Sequence, residues 1–237
     1  MTNFGTLFLI PVMLGDTTHE GVLPQSVLKT VDLIDDYVVE NSKTARKFIK
    51  SMCPEKKQAT LNLFELNKHT DASEIQSFLT PLLNGKDMGL MSDAGCPGVA
   101  DPGAAIVALA HEKGIKVVPL VGPSSILLSL MASGMNGQSF AFHGYLPIDK
   151  NEKKNKIKQL EKISAEQNQS QLFIETPYRN NQMLDDLIKF LNPNTSLCVA
   201  CDITLETEYI LTKPVAQWKK NKPDLHKRPC IFIFHSP

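Results

Sequence analysis

The chain of 237 residues contains no apolar run near the roughly 18 residues that would cross a bilayer. No basic segment followed by an apolar core opens it either. These absences set the expectation of a soluble, cytoplasmic protein with no membrane partner. Net charge is also missing, since 25 basic residues balance 25 acidic ones. Global charge therefore argues neither for nor against a nucleic-acid partner, because a neutral chain can still carry a basic face. Neither a G-x-G-x-x-G fingerprint nor a P-loop G-K-[ST] occurs, which disfavours a standard dinucleotide or triphosphate site. Cysteine is scarce and unpatterned: Cys53, Cys96, Cys198, Cys201 and Cys230 are odd in number. Cys198 and Cys201 form a C-x-x-C, but inside a strand-like run, where residues three apart point to opposite faces. No second pair and no suitably spaced histidines complete a zinc set. The thiols are read as reduced and mostly buried, and no metal is expected.

What is present suits a large folded core: 42% of the residues are hydrophobic and 21% charged. Strand-like and helix-like patterns alternate. Thr6–Ile10, Tyr37–Val39, Ala59–Phe64, Met88–Met91 and Lys116–Leu120 read as strands. Pro24–Val31, Ser42–Lys50, Ala72–Leu83 and Pro102–Lys113 read as the helices between them. Such alternation with short loops predicts an α/β fold with a mostly parallel, helix-covered sheet. The register changes near Leu120–Gly122, which divides the chain into an N-terminal α/β domain, 1–120, and a C-terminal one, 121–237. In the second, Ser124–Ser133, Asp149–Gln167 and Tyr178–Phe190 read as helices. Phe140–Gly144, Leu172–Glu175, Ser196–Cys201, Glu208–Leu211 and Cys230–Phe234 read as strands. The later strands lie close together in sequence, which predicts a mixed sheet.

Three loops share one character: each follows a strand and is rich in Gly, Pro, Ser or Asp. They are Pro11–Thr17 (PVMLGDT), Ser92–Gly103 (SDAGCPGVADPG) and Val121–Ser125 (VGPSS). Asp101 is a good helix N-cap and Pro102 suits the first helical position. In open α/β sheets ligands bind beyond the carboxyl ends of the strands. Three such loops on one edge form a pocket, and glycine lets their backbone approach a ligand closely.

The run SDAGCPGVADPG, then VGPSSILLSLMASGM, then FHGYLP and FIETPYR, resembles the tetrapyrrole-methylase superfamily. It is most similar to the branch of small-subunit rRNA cytidine-2′-O-methyltransferases, and the resemblance spans essentially the whole chain. It implies two α/β domains with S-adenosylmethionine bound in the cleft between them, and a homodimer. The backbone around Ser92, Asp93, Ala94 and Gly95, and around Gly122, Pro123, Ser124 and Ser125, would then serve the cofactor. Asp93 or Asp101 would offset its positive charge. Pro11 and Gly15 are kept from the family's first loop, and Glu175, Pro177 and Arg179 from its YESPHR block. Glu175 joins the cofactor set, and Arg179 the RNA-facing one. The implied substrate is small-subunit ribosomal RNA or the small ribosomal subunit, modified at a ribose 2′-hydroxyl.

Other blocks depart from the family. Its EDTRxTxxLL becomes ENSKTARKFI: Glu40 stays, Asn41 replaces the acid and Lys43 replaces Arg. Its HDHNE block becomes Phe64-Glu65-Leu66-Asn67-Lys68, which loses both histidines. Glu40 and Glu65 are the acid or base candidates, with Lys43 and Arg46 near phosphate. These departures keep alternatives open. One is a methyltransferase of the same fold acting on a tetrapyrrole, a protein residue or another RNA. The other is a cofactor-binding protein without transferase activity. Two basic stretches, Lys150–Lys158 and Lys213–Arg228, are candidates for RNA or for solvated surface. Trp218 either stacks on a base or packs. His69, His111 and His143 have no evident partner and read as structural or surface groups.

Overall fold

Five short strands, each leading into a helix or a loop, organise the first half of the chain. The computed structural model describes residues 4–67, 70–101 and 103–237. Pro102, Lys68 and His69, named above, lie outside the described residues. The first of two units, Met1–Ser124, runs β1 (Thr6–Leu9), α1 (Gln25–Leu33), β2 (Asp36–Val39), α2 (Ser42–Met52) and β3 (Asn62–Glu65). It continues with α3 (Ala72–Phe78), α4 (Thr80–Leu83), β4 (Met88–Met91), α5 (Ala104–Glu112) and β5 (Lys116–Pro119). The strands pair in the order β3-β2-β4-β1-β5, all parallel.

A parallel sheet covered on both faces needs apolar residues in both directions. Tyr37 and Val39 face α1 and α2, where Val27, Val31 and Ile49 pack. Val38 and Leu90 face the other way, toward Leu82 of α4 and Ile106 of α5. Gly89 shares the face of Tyr37. A β-carbon there would come within 2.6 Å of the Tyr37 ring and of Ile10 Cδ1. The ring fills the space the glycine leaves, and its hydroxyl donates to the Ile34 carbonyl at 2.7 Å.

The winding explains which face each helix takes. From β1 and β2 the chain moves toward the β3 edge; from β3 and β4 it moves toward β5. Right-handed crossovers in opposite directions lay their helices on opposite faces. Hence α1 and α2 share one face, and α3, α4 and α5 the other. β1 and β4 are neighbours, and the chain leaves them in opposite directions. That divergence opens a crevice above their carboxyl ends.

The second unit, Ser125–Pro237, runs α6 (Ser125–Ser133), β6 (Phe140–Tyr145), α7 (Lys150–Gln167), β7 (Ser170–Ile174) and α8 (Asn180–Phe190). β8 (Ser196–Cys201), β9 (Tyr209–Pro214), α9 (Val215–Trp218) and β10 (Cys230–His235) follow. Its sheet has the order β6-β7-β10-β8-β9 and is mixed: β6 and β7 are parallel, and the other pairs antiparallel. Leu160, Leu187, Trp218 and the stacked rings of Phe173 and Phe232 build its core. Two buried carboxylates tie the helices down. Lys153 of α7 pairs with Asp186 of α8 at 3.0 Å, and Glu161 accepts from the Thr195 hydroxyl at 2.7 Å. The Lys150–Lys158 stretch is thus partly internal: Lys153 is buried, and Lys158 pairs with Glu161 at 3.0 Å.

Several elements differ from the sequence reading, each for a local reason. The helix expected over Ala72–Leu83 is two helices, broken at Leu79 ahead of Pro81, whose ring cannot continue a helical ladder. The helix expected from Pro102 begins at Ala104. Asp101 Oδ1 accepts instead from the N–H groups of Gly98 and Gly103, both at 2.8 Å, and closes the preceding loop. The strand expected from Ala59 begins at Asn62, after a single 3-10 turn over Gln58–Thr60. Trp218 packs: it is fully buried, and its indole N–H donates to the Leu197 carbonyl at 3.1 Å. All five cysteines are free, and no described helix is long and apolar enough to cross a membrane.

Candidate functional site

All five strands of the first sheet end on one edge, so their following loops meet there. The loop after β1 and the loop after β4 form an isolated antiparallel bridge: Val12 N–H donates to Gly95 O at 2.9 Å, and Gly95 N–H to Val12 O at 3.2 Å. The loop after β5 closes on both. The Cys96 thiol donates to the Pro123 carbonyl at 3.4 Å. Pro11 lies so near Gly122 that a β-carbon there would sit 2.2 Å from its ring. Gly95 has φ +76°, in the left-handed region where glycine is at ease. The three loops singled out by composition are therefore one hydrogen-bonded junction.

Beside that junction stand four carboxylates. Glu40 follows β2, and its Oε2 accepts from the Asp93 N–H at 3.3 Å. Glu65 ends β3, and its Oε1 accepts from the Ser42 N–H at 2.9 Å. The Ser42 hydroxyl and N–H hold the Glu65 carboxyl below its ordinary pKa. Burial pushes the Asp93 carboxyl above its ordinary value, against a hydrogen bond from Thr44 that lowers it. Asp101 Oδ2 is buried with no hydrogen-bond partner. Among the described residues, no group of three metal-ligating side chains gathers.

The first turn of α2 is already occupied. Asn41 Oδ1 accepts from the Lys43 and Thr44 N–H groups at 2.9 and 3.2 Å, and Glu65 takes that of Ser42. The change to Asn41 thus yields a good N-cap. The Lys43 side chain is exposed. Arg46 turns away, donating from Nη1 to the Gln58 carbonyl at 2.7 Å. Between the loop after β1 and α2 lies a cavity of about 240 Å³. Gly15, Thr17, Thr44, Phe48, Ser92 and Asp93 are among its lining residues. Lys47 and Asp16, paired at 3.3 Å, stand at its exposed side. The sequence reading overlooked Thr44, Lys47 and Phe48. Their spacing is that of one helix face, which alone does not separate a pocket wall from a core stripe.

The remaining residues singled out from sequence fall elsewhere. Phe64 packs on Phe78 with ring centroids 5.5 Å apart, and Leu66 is buried. Ser92 is buried and donates to the Ala94 carbonyl at 3.2 Å. Ser125 opens α6 in the second unit, next in sequence to Ser124. Glu175 and Arg179 flank the turn between β7 and α8. Glu175 Oε1, in a nearly buried carboxylate, accepts from the Arg179 guanidinium at 2.6 and 3.0 Å. His143 shares a hydrogen bond of 2.7 Å with Gln171.

A family model described as Tetrapyrrole (Corrin/Porphyrin) Methylases matches residues 6–218. A protein of Vibrio cholerae named ribosomal RNA small subunit methyltransferase I is 28% identical over 232 residues, covering 97% of this chain and 76% of that protein. A protein of the same name from Synechocystis is 30% identical over 226 residues, covering 92% and 76%. Among solved structures, the methyltransferase CobJ has a TM-score of 0.63 at 16% identity, covering 98% of this chain and all of that one. A uroporphyrin-III-C-methyltransferase from Thermus thermophilus has a TM-score of 0.55 at 14% identity, covering 98% and 92%. At such identities these two likenesses speak for the fold.

Proposed function

This chain belongs to the tetrapyrrole (corrin/porphyrin) methylase family and is an S-adenosylmethionine-dependent methyltransferase, and on that premise we propose that it methylates a ribose 2′-hydroxyl of small-subunit ribosomal RNA. The relatives named for that RNA support the reading across nearly the whole chain. The observation that carries it into the site is the junction of the loops after β1, β4 and β5, with Glu40 bonded into it.

The junction fits the cofactor in chemistry. The Asp93 carboxyl is disfavoured as an anion by burial, and Asp101 Oδ2 is buried without a partner. A nearby cation relieves both costs. We assign Asp93 and Asp101 to that role. The backbone of Ser92, Ala94, Gly95, Gly122, Pro123 and Ser124 would hold the polar ends, with Pro11 and Gly15 shaping the site. When bound, the cofactor supplies an electrophilic methyl on a good leaving group. The protein's main task is then to align a weak nucleophile with it. A ribose hydroxyl also benefits from a positioned base. Glu40 is the candidate placed at the junction itself, where it accepts the Asp93 N–H. Glu65, held low in pKa by Ser42, remains a carboxylate but a weaker base. Lys43 offers a mobile charge to phosphate, and Arg46 and Arg179 offer the donors their present partners leave free.

One observation favours a second acceptor class. The positions that carry histidines in the rRNA branch are here Phe64, packed on Phe78, and Leu66, buried. Neither presents a proton-transfer group. Incubation with methyl-labelled cofactor and unmethylated small subunits, followed by ribonuclease digestion, separates the readings. Label released by ribonuclease and mapped to a ribose is the expected result. Transfer to protein, to a tetrapyrrole or to nothing would overturn the acceptor. The family resemblance adds a cytoplasmic homodimer to this reading; sedimentation of the purified protein tests the dimer.

A further inference from the structure

In the second unit, the turn between β7 and α8 is zipped to the segment ahead of β10. Lys227 N–H donates to the Pro177 carbonyl at 3.0 Å. Leu225 N–H donates to Asn181 Oδ1 at 2.8 Å, and the Asn181 amide to Asp224 at 2.8 Å. Lys227 itself holds a left-handed conformation, φ +61°, which few non-glycine residues take unless their surroundings impose it. The corner is thus well determined, yet it presents an aromatic ring to water. Tyr178 is 70% exposed, and its ring packs against nothing in the core. His226 meets it edge-on, with centroids 5.9 Å apart, and Lys227 Nζ stands 6.0 Å from the ring centre. Lys227 has no carboxylate partner among the ion pairs of the described residues. Arg179 lies on the same turn, with Nε and Nη2 of its guanidinium held by Glu175.

A rigid, open tyrosine flanked by cationic groups has the composition of a base-stacking surface, in which the ring takes a base and the cations take the adjoining phosphates. We propose that the Tyr178 corner binds an unpaired nucleotide of the RNA substrate, with Lys227 and Arg179 on its phosphates. The inference rests on the reading of RNA as the acceptor. Duplex RNA buries its bases in the stack, so the platform selects single strands.

The test is direct. A fluorescein-labelled ten-nucleotide single-stranded RNA is titrated with the full chain, beside the same sequence as a duplex. Tyr178→Ala should weaken single-strand binding by roughly five- to a hundredfold, the range expected for losing one stacked base. Tyr178→Phe should bind within about twofold of the unaltered chain, because the ring is what stacks. Lys227→Gln should flatten the salt dependence by about one phosphate contact, a slope change near 0.7. S-adenosylmethionine affinity should stay the same in all three. Equal binding by Tyr178→Ala, no binding by the unaltered chain, or a preference for the duplex would each overturn the platform. So would a Tyr178-dependent contact that persists with ribosomal protein after the RNA is digested. If ribosomal RNA is methylated while Tyr178→Ala changes neither binding nor KM, the platform fails and the acceptor stands. If Tyr178→Ala loses RNA binding but no RNA is ever methylated, the platform stands and the acceptor fails.

Discussion

Acidic side chains meet different fates in the two units. In the first, Glu40, Glu65 and Asp101 stand at the carboxyl edge of a parallel sheet and accept from backbone N–H groups. In the second, Glu161, Asp186 and Asp202 are buried and accept mainly from lysine, arginine and threonine side chains, with the Asn192 N–H also on Glu161. The contrast follows from topology. A parallel sheet sends every carboxyl-end loop to one edge, so its acids can face a common ligand. A mostly antiparallel sheet divides its loops between two edges. There the charged groups pin a helix to a helix, as Asp186 does, or hold loops, as Glu161 and Asp202 do.

The largest test of this contrast lies in the second unit. Asp186→Ala leaves Lys153 as a buried cation without a counter-ion, and should cost about 3–5 kcal/mol in urea unfolding. Replacing both partners with apolar residues should recover most of that loss. In the first unit, Gly122→Ala forces a β-carbon into Pro11, and overpacking of that kind costs about 1–3 kcal/mol. It should also weaken cofactor binding by roughly five- to a hundredfold by calorimetry, the factor that a cost of that size corresponds to. Unchanged affinity would detach the junction from the cofactor.

Smaller effects should appear in pH profiles. The Asp93 carboxyl is raised in the fold, so the folded state holds its proton longer than the unfolded chain. Stability from this group is present below the ordinary aspartate value and falls as pH rises through the raised one. Asp93→Asn should remove that downward slope. Glu65 runs the other way: its stabilisation is present above the ordinary glutamate value and is lost as pH falls through the lowered one. Glu65→Gln should erase that acid-side loss. The effect should stay under about 1 kcal/mol, because the group is exposed and screened. Identical slopes for both variants would deny the carboxylates separate environments.

Much of the frame was legible in advance. Met88–Met91 and Ser196–Cys201 could be read to the residue, because four to six apolar residues between turn signals leave little choice of boundary. The three loops were legible for a physical reason too, since glycine and proline cluster where backbones must approach closely. Helix starts were less so. Asp101 reads as an N-cap from its neighbours alone, but Gly98 lies within reach of the same oxygen, and a contact across a loop leaves no periodic trace. Lys153 was equally hidden. Among five lysines in KNEKKNKIK, only tertiary contact reveals the one that faces Asp186. The wall formed by Thr44 and Phe48 escaped because a pocket-facing stripe and a core-facing stripe have one period.

The crevice above β1 and β4 has a lineage consequence. It arises from the direction in which the chain leaves two neighbouring strands, so no particular side chain has to maintain it. Asn41, Lys43 and Leu66 differ from the rRNA branch, yet none of them belongs to the hydrogen-bonded bridge between Val12 and Gly95. Residues at the mouth can therefore change while the backbone bridge between the loops persists. A chain with this winding can accept substitutions at its loop tips without rebuilding its frame.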